Sequence, residues 1–221
     1  MKYKCLVLDH DDTVVNSTAT IHYPCFIEYL EKTKPERAGD YTLQEYFLKN
    51  FHPGVEWLFL EDVGLSEEEF IKEQEYWSEY VKWHIPTAYQ GMREIMSRFK
   101  AEGGIIAVAS HSYTRYIERD YSENSLPKPD AIYSWDLPKE KRKPHPYTLV
   151  DIMEKYQLNP SELLVVDDLK PGFDMARAAG VDFCAAGWAY DVPEIESFMR
   201  SRCDFYCKSV SELSELLFGK E

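Results

Sequence analysis

Acidic side chains follow directly on the first apolar run of the chain. Residues 6–8 are Leu, Val and Leu, and the three carboxylates of Asp9, Asp11 and Asp12 come immediately after them. Carboxylates held close together repel one another unless a cation neutralises them. In an extended segment, residues two apart face the same side, so Asp9 and Asp11 share a site and Asp12 points elsewhere. Such a pair suits one nucleophile and one general acid/base.

Two later apolar runs also end in polar side chains. The run 105–109 leads into Ser110, and the run 163–166 leads into Asp167 and Asp168. In an open parallel sheet, ligands bind outside the carboxyl ends of the strands. The sequence therefore predicts that four or five carboxylates and a hydroxyl meet at one sheet edge. An oxygen-only ligand set of this kind favours Mg²⁺, whereas any one of these segments alone would also fit a solvated turn.

Short apolar segments that do not alternate with polar residues are typical of strands buried on both faces. These segments cover residues 3–8, 105–109, 163–166, 183–186 and, more weakly, 204–207. Helical spacing of apolar residues, with small-residue or capping signals, predicts helices around 92–99, 149–156, 172–180 and 209–218, the last with a capping box between Ser209 and Glu212. Alternation of strands and helices from about residue 90 predicts an α/β fold with a doubly wound parallel sheet.

Residues 15–88 differ from the rest of the chain because they contain no second strand-like run. Their clearest helix covers residues 66–83 and opens with a capping box between Ser66 and Glu69. We therefore predict an all-helical cap domain over residues 15–88, inserted into a core domain formed by residues 1–14 and 89–221. The chain would cross between the two near residues 14–17 and 85–90.

The bulk composition excludes some classes of partner. A net charge of −14 argues against binding to nucleic acid or to an anionic membrane, since both would repel the chain. The five cysteines lack zinc-site spacing and predict reduced thiols in a reducing compartment. The chain has no signal-peptide pattern and no long apolar run, which predicts a cytoplasmic protein. The oligomeric state, monomer or dimer, is left open.

Four segments together resemble the motifs of the haloacid dehalogenase superfamily of hydrolases. "CLVLDHDDT" is similar to the first motif, a strand followed by Asp-x-Asp-x-Thr, and "IIAVAS" is similar to the second, a strand ending in Ser or Thr. "KPHP" resembles the third, a Lys before Pro-x-Pro at a helix start, and "LLVVDDLKPGFDMARAAG" resembles the fourth. The segments follow the order of the family, and the helical insert is similar to its C1-type cap. The layout resembles the phosphoglycolate phosphatase and β-phosphoglucomutase groups.

The resemblance implies a Mg²⁺-dependent phosphatase acting on a small soluble phosphate monoester. Asp9 would attack phosphorus and form an aspartyl-phosphate, and Asp11 would protonate the leaving oxygen and then activate water. An acid at position 11 is typical of family members that cleave phosphate esters and not of those that cleave carbon–halogen bonds. Mg²⁺ would be held by Asp9, the backbone carbonyl of Asp11, Asp168, and Asp167 directly or through water.

The resemblance also implies a set of groups that bind the phosphoryl oxygens. These are Ser110, Lys143 and the backbone amides of His10 and Asp11. Pro144, next to Lys143, would fit the first turn of the following helix. His111 stands where phosphatases of this group often have Asn, so it either touches the substrate or is a loop residue without a role.

Two alternatives stay open. A β-phosphoglucomutase-like mutase would use the same Asp pair but would pass the phosphoryl group to a sugar instead of water. A non-catalytic binding protein with the same fold would conserve the architecture without the reaction. Release of phosphate from esters separates the phosphatase from both.

Overall fold

The computed structural model of the protein describes residues 2–219. Six parallel strands form one sheet in the order β5-β4-β1-β6-β7-β8, and two short strands, β2 and β3, pair separately and antiparallel. The strands are β1 Cys5–Leu8, β2 Val15–Asn16, β3 Thr87–Ala88, β4 Ile105–Ala109, β5 Ala131–Tyr133, β6 Leu163–Asp167, β7 Asp182–Ala186 and β8 Phe205–Cys207.

The central strand β1 is covered on both faces, which is why its sequence is an unbroken apolar run. Leu6 and Leu8 belong to one buried cluster of side chains, whereas Cys5 and Val7 belong to another on the opposite face. All four side chains are fully buried. The predicted α/β fold with a parallel sheet between two layers of helices is confirmed.

Ten α-helices accompany the strands among the described residues. They are α1 Tyr23–Thr33, α2 Leu43–Phe51, α3 Val55–Trp57, α4 Glu67–Trp83, α5 Met92–Ala101, α6 Thr114–Glu123, α7 Tyr147–Tyr156, α8 Lys170–Ala179, α9 Pro193–Arg202 and α10 Val210–Phe218. The four helices predicted after residue 90 correspond to α5, α7, α8 and α10. The sequence patterns did not identify α6, α9 or the edge strand β5.

Two local predictions differ from the structure. The Ser209 hydroxyl accepts the Glu212 N–H as expected, but the Glu212 carboxylate accepts the N–H of Lys208 and not that of Ser209, so the capping box is half formed. Pro144 lies outside the first turn of α7, which begins at Tyr147. Pro144 instead lies in a turn over residues 142–145, closed by a hydrogen bond from the His145 N–H to the Arg142 carbonyl.

Residues 15–88 contain α1 to α4, together with the short strands β2 and β3 that the sequence reading did not separate from the helices. These strands pair Val15 with Ala88 and Asn16 with Thr87, so both chain crossings run side by side. Most aromatic side chains of this segment pack with one another, for example Phe26 against Phe59. The domain boundaries after residues 14 and 88 stay a prediction.

One helix within residues 15–88 packs against residues of the α/β part of the chain. The ring of Phe47 in α2 lies 4.4 Å from that of Tyr190, and the Phe51 ring lies 5.3 Å from that of Phe198, both measured between ring centroids. The helical segment therefore rests against the core at a contact separate from the β2–β3 crossings. All five cysteines, each within the described residues, are free thiols. Within residues 2–219, no helix combines the length and apolarity that crossing a bilayer requires.

Candidate active site

The ends of three adjacent strands bring the predicted residues together. Strands β4, β1 and β6 lie side by side, with Leu8 level with Val108 and Val166. The residues that follow these positions are therefore neighbours at one sheet edge. Oxygen atoms of Asp9, Asp167 and Asp168 lie within 4.8 Å of one another, and all three side chains are buried. Three of the four or five carboxylates predicted for this edge therefore lie together.

Lys143 joins two of these carboxylates. Its Nζ lies 2.7 Å from Oδ1 of Asp9 and 2.7 Å from Oδ2 of Asp167. The Lys143 side chain is 6% exposed, so these ion pairs are shielded from water. The one ammonium faces three carboxylates, and the cluster keeps an excess of negative charge.

Burial and the neighbouring negative charges raise the pKa values of two of these acids. Burial raises the pKa of Asp9 to about 7; the charge of Lys143 opposes this rise, whereas Asp167 and Asp11 add to it. Burial and the neighbouring charges of Asp167 and Asp9 raise the pKa of Asp168 well above its usual range. An oxygen-only, buried and anionic set of this kind has the donor chemistry that a hard divalent cation requires.

The Asp11 carboxylate lies in a different environment, because both of its oxygens accept hydrogen bonds. Oδ1 accepts from Ser17 Oγ at 2.7 Å and from His22 Nε2 at 3.0 Å, and Oδ2 accepts from Ser112 Oγ at 2.6 Å. Burial opposes ionisation of Asp11, but His22 and Ser112 outweigh it and hold its pKa well below the usual range. Asp9 and Asp11 are thus two carboxyls whose affinities for a proton are pushed apart.

The tautomer of His22 follows from its two partners. The indole N–H of Trp77 donates to His22 Nδ1 at 3.0 Å, so that nitrogen carries no proton in this arrangement. His22 Nε2 is then the N–H that donates to Asp11. A chain of hydrogen bonds therefore runs from α4 through the π-helical turn Thr18–His22 to the strand end.

The side chains of the two histidines near the predicted site, His10 and His111, have partners within the protein. The His10 side chain turns away, with Nε2 3.1 Å from Asp120 Oδ2, so only its backbone amide is available for the predicted role. His111 Nε2 donates to the Lys143 carbonyl at 3.0 Å, which fixes the loop that carries the lysine. Burial and the charge of Lys143 lower the pKa of His111 to about 4.

Asp12 and Ser110 have structural contacts. Asp12 Oδ1 accepts the backbone N–H groups of Ser17 and Thr18 at 3.3 and 3.2 Å, which agrees with the prediction that Asp12 points elsewhere. Ser110 is buried and its Oγ accepts the N–H of Ser112 at 3.0 Å.

Gly172, in the first turn of α8, explains how close that helix comes to the site. A Cβ at this position would lie 2.1 Å from Oδ2 of Asp167. The same carboxylate accepts the Leu169 N–H through Oδ1 at 2.8 Å. The glycine therefore allows the loop after β6 to enclose the acidic pair.

A cavity of about 360 Å³ opens beside these groups. Asp11, Ser112, Lys143 and Asp168 line it on the side of the sheet edge. The residues of α4 that line it are Phe70, Glu73, Gln74 and Trp77. Sequence reasoning missed Ser17, His22, Glu73, Trp77 and Ser112 as residues of the site. Only Ser112 carried a usable signal, because it follows β4 by three residues.

Comparison with known proteins agrees with this geometry. The family model described as haloacid dehalogenase-like hydrolase matches residues 6–186. A curated phosphoglycolate phosphatase of Vibrio parahaemolyticus is 28% identical over 132 residues, which is 58% of this chain and 56% of that protein. Another, of Nitrosospira multiformis, is 26% identical and covers 97% of this chain and 95% of its own. The chain spans little more than half the length of the first of these relatives.

Solved structures share the fold. A Bacteroides fragilis protein named as a haloacid dehalogenase-like hydrolase superposes with a TM-score of 0.79 at 20% identity, over 96% of this chain and 100% of that chain. A Lactobacillus plantarum protein named as a phosphoglycolate phosphatase gives 0.77 at 23% identity, over 98% and 100%. With the family model covering most of the chain, the protein belongs to the haloacid dehalogenase-like hydrolase family.

Proposed function

We propose that this hydrolase is a Mg²⁺-dependent phosphatase that cleaves small phosphate monoesters through an aspartyl-phosphate on Asp9. The observation that carries the proposal is the position of the Asp9 carboxylate, 2.7 Å from Lys143 and clustered with Asp167 and Asp168. A carboxylate attacks an anionic phosphate only where positive charge offsets the repulsion. The names of the curated relatives support the same reaction class.

The residues present fit a magnesium ion. Three buried carboxylates cluster beside a single ammonium, and burial together with the charges of Asp167 and Asp9 raises the pKa of Asp168. Asp9 and Asp168 would hold Mg²⁺ together with the backbone carbonyl of Asp11, and Asp167 would do so directly or through water. When bound, Mg²⁺ neutralises charge on the phosphoryl oxygens.

The residues of the chain divide the reaction between them. An Asp9 oxygen forms a bond to phosphorus as the bond from phosphorus to the ester oxygen breaks. Lys143, Ser110 and the backbone amides of His10 and Asp11 would bind the phosphoryl oxygens and stabilise the developing charge. Asp11 delivers a proton to the leaving oxygen and later takes one from the water that attacks the phosphoryl group, releasing phosphate and restoring Asp9.

The hydrogen bonds around Asp11 suit the second of these steps. Ser17, Ser112 and His22 all donate to it and hold the carboxylate form, which is the form that accepts a proton from water. To donate a proton first, Asp11 must lose at least one of these donors. His22 belongs to the helical segment, so movement of that segment would remove a donor and allow Asp11 to bind a proton.

Release of phosphate from p-nitrophenyl phosphate tests the proposal. The wild-type protein with Mg²⁺ is expected to release phosphate, and Asp9→Asn to release essentially none. Asp40→Asn, at an exposed position, is the matched control and should behave as wild type. Absence of phosphate release by the wild type on this ester and on a broad panel of metabolite esters would refute the phosphatase. Isomerisation of a sugar phosphate without release would indicate the mutase instead.

A further inference from the structure

One face of α4 forms a wall of the cavity. Phe70, Glu73 and Trp77 are spaced i, i+3 and i+7, so they lie on the same side of the helix, and all three line the cavity together with Gln74. Two of the three are aromatic rings and the third is a carboxylate. The face is therefore an apolar wall with one acidic group in it.

Glu73 is the unusual member of this face. It is 2% exposed, and in the part of the chain that the structure describes its only hydrogen bond is the one that Oε2 accepts from Gln74 Nε2 at 2.6 Å. Burial raises its pKa to about 7, with Gln74 and then His22 opposing that rise. Carboxylates are seldom buried without a cationic or strongly donating partner, because the desolvation cost is large. Glu73 is therefore a suitable group to bind a cationic or strongly donating ligand in the cavity.

The cations of the same cavity already have contacts within the protein. Lys139 pairs with Glu56 at 2.7 Å, whereas the Arg142 guanidinium donates to the Leu137 carbonyl at 2.6 Å and lies 4.1 Å from the centroid of the Trp135 ring. Lys143 forms ion pairs with Asp9 and Asp167 at the strand ends. Glu73, by contrast, has no ion pair with a lysine or arginine among the described residues. A negatively charged leaving group beside it would place two anionic groups together, whereas a cationic one would give Glu73 an opposite charge.

We propose that Glu73 selects a leaving group carrying a protonated amine, so that the substrates are phosphate monoesters of small amino alcohols. The ammonium would donate to the Glu73 carboxylate while the faces of Phe70 and Trp77 flank it, an arrangement that attracts cations. The inference rests on the proposed phosphatase function. The ester reacts with one water to give the amino alcohol and phosphate, with Asp11 supplying the proton of the new hydroxyl.

The proposed substrates differ from phosphoglycolate, the substrate that the names of the curated relatives give. Phosphoglycolate carries a carboxylate at the end opposite its phosphate, and above about pH 7, where Glu73 is ionised, that carboxylate would be repelled. A protonated amine at the same position is attracted, and it restores the charge balance that burial of Glu73 disturbs. Specificity would arise from rejection of the acid as well as from attraction of the amine.

Three two-carbon esters that differ only in their terminal group test the proposal. They are 2-aminoethyl phosphate, 2-hydroxyethyl phosphate and phosphoglycolate, assayed by phosphate release with Mg²⁺ beside p-nitrophenyl phosphate. For wild type we expect kcat/KM for the amine to exceed that for the hydroxyl ester by about 10- to 100-fold, the range of one charge-assisted hydrogen bond. Phosphoglycolate should be the poorest of the three.

Glu73→Gln should abolish most of the preference of the amine over the hydroxyl ester. Glu75→Gln, at an exposed position on the same helix, is the matched control and should keep the wild-type ratio. An equal ratio in wild type and Glu73→Gln, a wild-type preference for phosphoglycolate, or hydrolysis of p-nitrophenyl phosphate alone would each overturn the proposal while leaving the phosphatase standing. Inactivity of the wild type on all four esters would instead refute the phosphatase. The wild-type order of the esters decides even where Glu73→Gln fails to fold.

Discussion

His22 Nε2 lies 3.0 Å from Oδ1 of Asp11, which links the helical segment to a strand end of the core. Trp77 fixes the other ring nitrogen, so the imidazole has one orientation and one tautomer in this arrangement. His22 does not need to touch the substrate to matter, because it sets where the Asp11 carboxylate points and how readily it binds a proton. It is a positioning residue in this account.

Removal of this contact should affect turnover more than substrate binding. We expect His22→Ala to lower kcat by about 10- to 100-fold, part of the ~10²–10⁴-fold that general acid/base catalysis contributes, with a small change in KM. Because Asp11 would lose a donor to its ionised form, the acidic limb of the pH profile should shift to higher pH. Steady-state kinetics across pH check both effects. The exposed His84→Gln is the control, and an unchanged kcat and profile in His22→Ala would contradict the role.

Lys143 should hold the strand ends together when no metal is present. Lys143→Met leaves Asp9 and Asp167 buried without their cation, and removing one partner of a buried pair costs about 3–5 kcal/mol. We expect the free energy of unfolding in EDTA to fall by about that amount and to recover in part with Mg²⁺. Denaturant unfolding in both buffers measures it. Lys139→Met, which breaks an exposed pair with Glu56, should cost at most about 1 kcal/mol.

Asp168 should lower the stability of the metal-free protein, and it should be required for Mg²⁺ binding. Its neutral form is favoured by burial and by the charges of Asp167 and Asp9, so Asp168→Asn should raise the Tm in EDTA. Wild type should gain about 2.7 kcal/mol of stability when Mg²⁺ reaches one hundred times its Kd, and the variant should gain little. Thermal unfolding with and without Mg²⁺ gives both numbers. Asp174→Asn, at an ion pair with Lys170, is the control, and a full Mg²⁺ response in Asp168→Asn would exclude it as a ligand.

Burial of Glu73 should lower stability at high pH. Its pKa is about 7 in the folded protein, above the ordinary glutamate value of 4.5, so the unfolded chain ionises first and stability falls as pH rises from about 4.5 to 7. One pKa unit corresponds to about 1.4 kcal/mol, so Glu73→Gln should be more stable than wild type by up to about 3 kcal/mol at pH 8 and by little at pH 4. Unfolding curves at the two pH values test this, and a pH-independent difference would argue against a neutral, buried Glu73.

The acidic cluster could be predicted from the sequence because its members stand directly at the ends of strands that the sequence identifies. Asp9 comes directly after β1, and Asp167 and Asp168 come at the end of β6. Buried parallel strands have strong sequence patterns, and adjacent strands then put their ends together. The edge strand β5 has no such pattern, since it is three residues long and follows Pro127 and Pro129.

The surroundings of Asp11 could not be predicted because they depend on where the chain returns. Ser17 and His22 come from a turn after β2, and Trp77 comes from α4, 55 residues beyond His22. Neither the spacing nor the type of these residues predicts that they contact Asp11 or, for Trp77, His22. Glu73 had a misleading pattern, because a charged residue within a helix is usually a solvated one.

Asp9 should carry the phosphoryl group during turnover, and detection of that adduct is the sharpest test of the proposed reaction. The Asp11→Asn variant lacks the base for the hydrolysis step, so the intermediate should accumulate when p-nitrophenyl phosphate, which needs little help from an acid, is added with Mg²⁺. Rapid acid quenching, proteolysis and mass spectrometry should then find one phosphoryl group on Asp9, and none in Asp9→Asn. Phosphate release without any phosphorylated Asp9, or a phosphoryl group on another residue, would contradict the account.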